Sequence, residues 1–255
     1  YHFFEGKAMK QKLAVLIAIY MGIALWAGCT ETQQVPQQST TVKSHSAITA
    51  QPQQYWWMER HNQILKRIHQ GKVDLIFVGD SITHSWENAG KNVWEKYYAP
   101  RNTVNMGFSG DRTQHVLWRL DHGEIDGISP KLAVLMVGTN NSRGEDNTAE
   151  EIADGIKAIC AKMQRKLPKT KILVMAIFPR GAMPSPQREK NAKASELAAQ
   201  IADNQMIYYL DINSKFLGSD GSLSTDIMPD LLHPNEKGYQ IWAEAIEPTV
   251  AKLIE

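Results

Sequence analysis

The sequence predicts an α/β fold: one domain built on a five-stranded parallel sheet with helices on both faces. Five short apolar runs, at residues 73–78, 103–106, 132–137, 171–178 and 206–212, supply the strands. Most of these runs are continuous rather than alternating, as in parallel strands covered on both sides. Amphipathic patterns with helix-start signals lie between them, and strict alternation of strand and helix implies right-handed crossovers. The 255 residues, 43% hydrophobic and 22% charged, suffice for one sizeable core.

The elements follow in order. A first helix begins after residue 55 with Trp56 and Trp57, read as packing the helix onto the sheet, with a sugar-stacking platform as the alternative. His61 and His69 lie on this predicted helix without a ligand cluster, so no metal site is expected. The first strand ends at Gly79-Asp80-Ser81, where Asp80 is expected to brace the loop through backbone amides and His84 to be a surface residue, with a place in the pocket wall as the alternative. The second ends at Gly107-Phe108-Ser109-Gly110, with Asp111 and Arg112 expected to cap the next helix and contact with substrate as the alternative; the third ends at Gly138-Thr139-Asn140-Asn141. Thr148-Ala149-Glu150-Glu151 is a capping box, opening a helix toward Lys166 that stops before Pro168. Cys160 sits on its apolar face as a small buried hydrophobe. Ser185-Pro186 supplies an N-cap and first turn for a helix over 187–204. The last helix follows Pro234-Asn235 and carries Tyr239, Ile241, Trp242, Ile246 and Leu253.

In such sheets ligands bind at the carboxyl ends of the strands. The loops after the first three strands therefore open on one rim, and the loop holding Asp230 and His233, after the fifth, can lean over it. Ser81 is the candidate nucleophile, since a serine hydroxyl acts once a neighbouring base takes its proton. His233 is the candidate base, and Asp230, three residues before it on a turn, the group that orients the imidazole. Asp226 is the rival orienter. The oxyanion formed on attack needs donors, and the N–H groups of Ser81 and Gly110 and the amide of Asn140 are available.

The blocks Gly79-Asp80-Ser81, Gly110, Gly138-Thr139-Asn140 and Asp230-Leu231-Leu232-His233 resemble the four signature blocks of the SGNH (GDSL-type) hydrolases. The likeness is closest to the catalytic alpha subunits of intracellular platelet-activating-factor acetylhydrolase. Shared stretches are Gly110-Asp111, His115 to Leu120, Val137 to Asn141, Pro179-Arg180-Gly181 and Lys190 to Lys193. The resemblance implies a flavodoxin-like three-layer α/β/α sandwich, no metal or cofactor, and hydrolysis of short acyl esters, often acetyl. It carries the nucleophile, oxyanion and base roles onto Ser81, Gly110, Asn140, Asp230 and His233. Two departures are Ile82, where the family motif has leucine, and Asn141, where aspartate is common; the acetylhydrolase branch shares the second. Those relatives form dimers, so a homodimer is compatible, although no exposed stripe here demands one.

The N-terminal part reads differently. Lys10 and Lys12 precede an apolar stretch over 13–27 that ends at Gly28-Cys29, the pattern of a secretory signal. The run is short beside the roughly 20 residues of a membrane span. Ala27-Gly28-Cys29 resembles a bacterial lipobox, in which Cys29 is lipidated, with Trp26 where leucine is usual. Residues 1–29 are thus expected to be a signal and lipid anchor to a membrane, with Met9 as its start and residues 1–8 foreign to it; an uncleaved signal-anchor and a plain buried helix are the alternatives. Residues 30–54, rich in Gln, Thr, Ser and Pro, are expected to form a flexible tether reaching roughly 25–30 Å, with the hydrolase domain over 55–255. An extracytoplasmic lipoprotein, periplasmic or on the cell surface, follows as the expected location. The formal net charge of +1 gives no electrostatic case for nucleic acid, and the partner expected is a small acylated glycan or lipid, with a non-catalytic binding protein on the same fold as the remaining alternative.

Overall fold

The computed structural model describes residues 44–54 and 56–255. Cys29, the signal and most of the expected tether lie outside those residues. Five parallel strands, β1 (Leu75–Gly79), β2 (Thr103–Gly107), β3 (Leu132–Met136), β4 (Lys171–Met175) and β5 (Ile207–Leu210), form one sheet in the order β2-β1-β3-β4-β5. This is the flavodoxin-like order, whose direction of winding reverses between β1 and β3. Register aligns Gly79 with Gly107 on one side and Met136 on the other, so three strands end level and their loops leave from one line.

The continuous apolar runs divide by parity. Ile76, Val78, Ala133, Leu135, Ile172 and Val174 point into one buried cluster; Leu75, Phe77, Leu132, Val134, Leu173 and Met175 point into the other. The first is covered by α1 (Trp56–Ile68), α4 (Thr113–Asp121), α5 (Ala149–Lys166) and α6 (Pro186–Ala199). The second is covered by α3 (Lys91–Tyr97) and α7 (Glu236–Ile254), with the short α2 (Ser81–His84) at the rim. Its centre is aromatic: Phe77, Trp86, Tyr98 and Trp242 are fully buried with ring centroids 4.7–6.3 Å apart. Burying such a side chain contributes about 1.5–3 kcal/mol. Three layers result.

The capping box at α5 forms, with Thr148 accepting from Glu151 N–H. Ser185 likewise caps α6, yet that helix ends at Ala199 rather than running to residue 204. Asp203 stops any continuation: one carboxylate oxygen takes the N–H groups of Gln205, Met206 and Ile207, and Asn204 turns left-handed at φ 54° to enter β5. Helix α3 has no sequence signal, since its N-cap is Gly90 without a side-chain bond. Cys160 is fully buried, and burial pushes its thiol up to about 12.

Residues 44–54, read in sequence as the end of a flexible tether, lie against the domain. Ala47 is buried, and its carbonyl accepts from Thr113 Oγ1 at 2.8 Å. Gln51 N–H donates to Gln114 O, and Gln53 Nε2 to Asp111 at 2.8 Å. Backbone groups of Ala47 and Gln51 and the side chain of Gln53 thus bond to the start of α4 and the residues before it. Among the described residues, no helix is long and apolar enough to cross a membrane.

Candidate active site

Ser81 stands at the point where β1 hands over to α2. That helix lies directly on the rim: a Cβ at Gly107 would come within 2.2 Å of His84 N, so only glycine lets β2 pass beneath it. Asp80 is 1% exposed and accepts from Ile82 N–H at 3.0 Å, bracing the turn as expected. Burial pushes its carboxyl up to about 7 against that hydrogen bond. From the far side Tyr239 donates its hydroxyl to Ile82 O at 2.6 Å, pinning α7 to the nucleophile loop.

The structure brings Ser81, His233 and Asp230 together. Ser81 Oγ is 2.8 Å from His233 Nε2, and His233 Nδ1 is 2.6 Å from Asp230 Oδ2. A carboxylate only accepts, so Nδ1 carries the ring proton and Nε2 is free to receive the serine proton. The other carboxylate oxygen accepts from the N–H groups of Leu232, at 3.1 Å, and His233, at 2.7 Å, closing an Asx turn. Burial raises the Asp230 carboxyl, but the hydrogen bonds from His233 outweigh it and hold it below the usual carboxylate range. Leu231 is forced to φ 59°, an unfavourable region for a side chain with a Cβ. Its carbonyl accepts from Gly181 N–H at 2.8 Å, which holds the turn over the rim. Asp226 makes no bond to His233; its carbonyl accepts from Asn235.

The expected oxyanion donors sit opposite. Gly110 has φ +80°, so its conformation, as well as the approach of substrate, calls for glycine. Asn140 Nδ2 gives one hydrogen to Asp111 O at 2.9 Å and keeps the other. Ser81, Gly110, Asn140 and His233 line one cavity of about 390 Å³, with Ser85, Ser109, Arg143 and Leu232 completing its wall. A hydroxyl on a neutral base, facing amide donors across a small cavity, is the equipment for acyl transfer.

A model of the GDSL-like lipase/acylhydrolase family matches residues 77–241. The chain belongs to that family. Among curated proteins, this GDSL-like hydrolase is 38% identical over 200 residues to the rat platelet-activating factor acetylhydrolase IB subunit alpha2, covering 78% of this chain and 85% of that protein. It is 35% identical over 199 residues to the bovine alpha1 subunit, covering 78% and 84%. Among solved structures, a GDSL-like lipase from Bacteroides thetaiotaomicron superposes with TM-score 0.59 at 21% identity, over 76% of this chain and 97% of the other. A catalytic mutant of an acetylxylan esterase from Geobacillus stearothermophilus superposes with TM-score 0.57 at 19% identity, over 71% and 95%. The GDSL-like protein is a carboxylic ester hydrolase on a three-layer α/β/α fold.

Several supports of this GDSL-like site were not evident in sequence. His84 is half-buried rather than a surface residue: its Nδ1 is 3.0 Å from Ser109 Oγ and accepts Ser109 N–H at 3.3 Å, fixing the residue before Gly110. Burial, then the Arg60 cation, push it down to about 4, so it stays a neutral acceptor at physiological pH. Arg180 donates to the carbonyl and hydroxyl of Thr139, steadying the Asn140 loop. Asn141 donates to Gln114 Oε1 and Asn147 Oδ1 and accepts Thr113 N–H, a set that an aspartate could not satisfy.

Asp111 is not a helix cap. Its carboxylate is buried and bonded by Gln53 Nε2, Trp57 Nε1 and Arg119 Nε, the last at 2.9 Å. Arg119, wholly buried, also pairs with Glu124, touches Gly79 O at 3.4 Å and lies 4.0 Å over the Phe108 ring. Glu124 in turn bonds His61 Nδ1 at 2.8 Å. His69 lies beyond the end of α1, and among the described residues no cluster of three or more His, Cys, Asp or Glu is arranged to hold a metal ion. Trp57 is fully buried, as packing requires, whereas Trp56 is 49% exposed.

Proposed function

We propose that this esterase removes acetyl or similarly short acyl groups through an acyl-enzyme on Ser81, acting on acetylated glycans of the cell envelope or its surroundings. The observation that carries the reading is the unbroken hydrogen-bond chain from Asp230 through His233 to Ser81, opening on a cavity shared with Gly110 and Asn140. Ser81 Oγ attacks the ester carbonyl while its proton passes to His233 Nε2. Negative charge gathers on the carbonyl oxygen, opposite the N–H groups of Ser81 and Gly110 and the free hydrogen of Asn140. One such donor is worth about 10²–10³ in rate. The imidazolium, stabilised by Asp230, returns its proton to the departing alcohol. Water then attacks the acyl-serine with His233 again as base, releasing the acid and restoring the hydroxyl.

A short acyl group suits the cavity because its wall is largely hydroxyl, amide and guanidinium, with Leu232 as its aliphatic member. A long chain would lie against groups that prefer water. The acetylxylan esterase and a carbohydrate acetylesterase from Sinorhizobium meliloti among the structural neighbours accord with a glycan substrate. The identity to platelet-activating factor acetylhydrolase subunits favours a second reading, an acetylated phospholipid. Acetate release from acetylated xylan, acetylated sialic acid and platelet-activating factor separates the two. The first reading expects the glycans to have the higher kcat/KM, and a preference for the phospholipid would overturn it. With acetyl, butyryl and octanoyl nitrophenyl esters, kcat/KM is expected to fall with each step.

We further propose that residues 1–29 direct the protein out of the cytoplasm and that Cys29 carries the anchoring lipid. Labelled palmitate is expected to enter the expressed protein and to be lost on Cys29→Ala; label retained by that variant would refute the anchor.

A further inference from the structure

A second cavity, of about 470 Å³, adjoins the catalytic one and shares Gly110, Asn140 and Arg143 with it. Its far wall is the stretch docked against the domain, Gln53 and Gln54, followed by Trp56. We infer that this cavity holds the alcohol side of the ester, a pyranose ring stacked on Trp56 and hydrogen-bonded by Arg143. The inference rests on the esterase reading of Ser81 and goes beyond it by naming the residues that bind the leaving group.

Three features carry it. The first is Trp56 itself. An indole that is 49% exposed, beside the buried Trp57, leaves much of its apolar surface in water at the cavity wall. The face of a pyranose that bears its axial C–H groups is flat and apolar and matches such a ring, while the sugar's edge carries the hydroxyls.

The second is the polar lining. His115 accepts Arg112 N–H on Nδ1 at 3.0 Å, which leaves its ring proton on Nε2 as a donor. Arg112 is engaged by Asp146 at 2.6 Å, but Arg143 has no ion-pair partner among the described residues. Arg143 lines both cavities, so one guanidinium can reach the ring hydroxyls and the ester region together.

The third is what the lining excludes. Apart from Trp56 and Pro52 it offers no hydrocarbon, so an alkyl tail would desolvate amides and guanidinium groups without return. A quaternary ammonium head, which would otherwise suit an indole, would meet the Arg143 cation.

The test compares kcat/KM for an acetylated xylotetraose with kcat/KM for ethyl acetate, whose alcohol is too small to reach Trp56. Trp56→Ala is expected to lower the ratio of the two at least tenfold, mainly through KM, and Trp56→Tyr to restore most of it. Arg143→Ala is expected to lower the same ratio. In parallel, calorimetry with the inert Ser81→Ala chain measures binding of the intact acetylated xylotetraose, which Trp56→Ala in that background should weaken at least tenfold. An unchanged ratio together with unchanged binding would overturn the subsite while leaving the esterase reading standing. Wild-type turnover of platelet-activating factor but not of the sugar ester would overturn the subsite and the glycan reading together. Full activity in Ser81→Ala would overturn the esterase reading and, with it, the assignment of this cavity to the leaving group.

Discussion

His233→Ala is expected to lower kcat for 4-nitrophenyl acetate by about 10⁴–10⁶-fold, with the circular dichroism spectrum unchanged. Two features of the turn support so large an effect. Ser81 Oγ has His233 Nε2 at 2.8 Å as its base, and the imidazole is held in one tautomer by Asp230 at 2.6 Å. Without the ring nothing takes the serine proton, so the hydroxyl meets the ester unactivated. The turn itself should persist, because the bonds from Asp230 Oδ1 go to the backbone N–H groups of residues 232 and 233, which the substitution keeps. Residual activity over water reflects the amide donors alone. A loss smaller than tenfold would mean that another base serves Ser81.

Arg119→Ala is expected to destabilise the protein by about 3–5 kcal/mol, the cost of stranding buried charge. Asp111 and Glu124 are both fully buried, and each is paired with this one guanidinium. Removing it leaves two carboxylates in the core, with only neutral hydrogen bonds from Trp57 and Gln53 for Asp111. At about 2–4 °C per kcal/mol for a chain of this size, the melting temperature should fall by about 6–20 °C. Arg119→Lys keeps the charge but cannot fork to both partners, and its loss should lie between wild type and alanine. Activity measured well below the melting temperature should also drop, since Asp111 O holds Asn140 and Arg119 reaches Gly79 O. A fall of less than 2 °C in Arg119→Ala would show that this guanidinium does not hold the two buried carboxylates as described.

Much of this was legible in the chain, and the reasons differ by element. Buried parallel strands advertise themselves as continuous apolar runs, so all five strands and the common rim follow from the sequence. The Thr148 and Ser185 caps are local chemistry and form where expected. The Asp230 to His233 spacing is also local: a turn of three residues suffices to bring imidazole and carboxylate together. What could not be read is chemistry between segments far apart in the chain. His84 meets Ser109 across two strand ends, and Asp111 finds Arg119, Trp57 and Gln53 from three different segments. Residues 44–54 carry the composition of a tether, and only the groups they meet at the start of α4 explain why they dock. The end of α6 at Ala199 is not legible because the stop is a side-chain device, Asp203 gathering three amides, rather than a glycine or proline.

The central claim is that Ser81 is the residue that carries the acyl group. Reaction with a serine-directed fluorophosphonate, followed by peptide mapping by mass spectrometry, tests it most directly. The account predicts one label per chain, on Ser81, appearing in step with loss of esterase activity and absent from Ser81→Ala. A label on Ser109 or any other serine, or wild-type turnover by the Ser81→Ala protein, would contradict it.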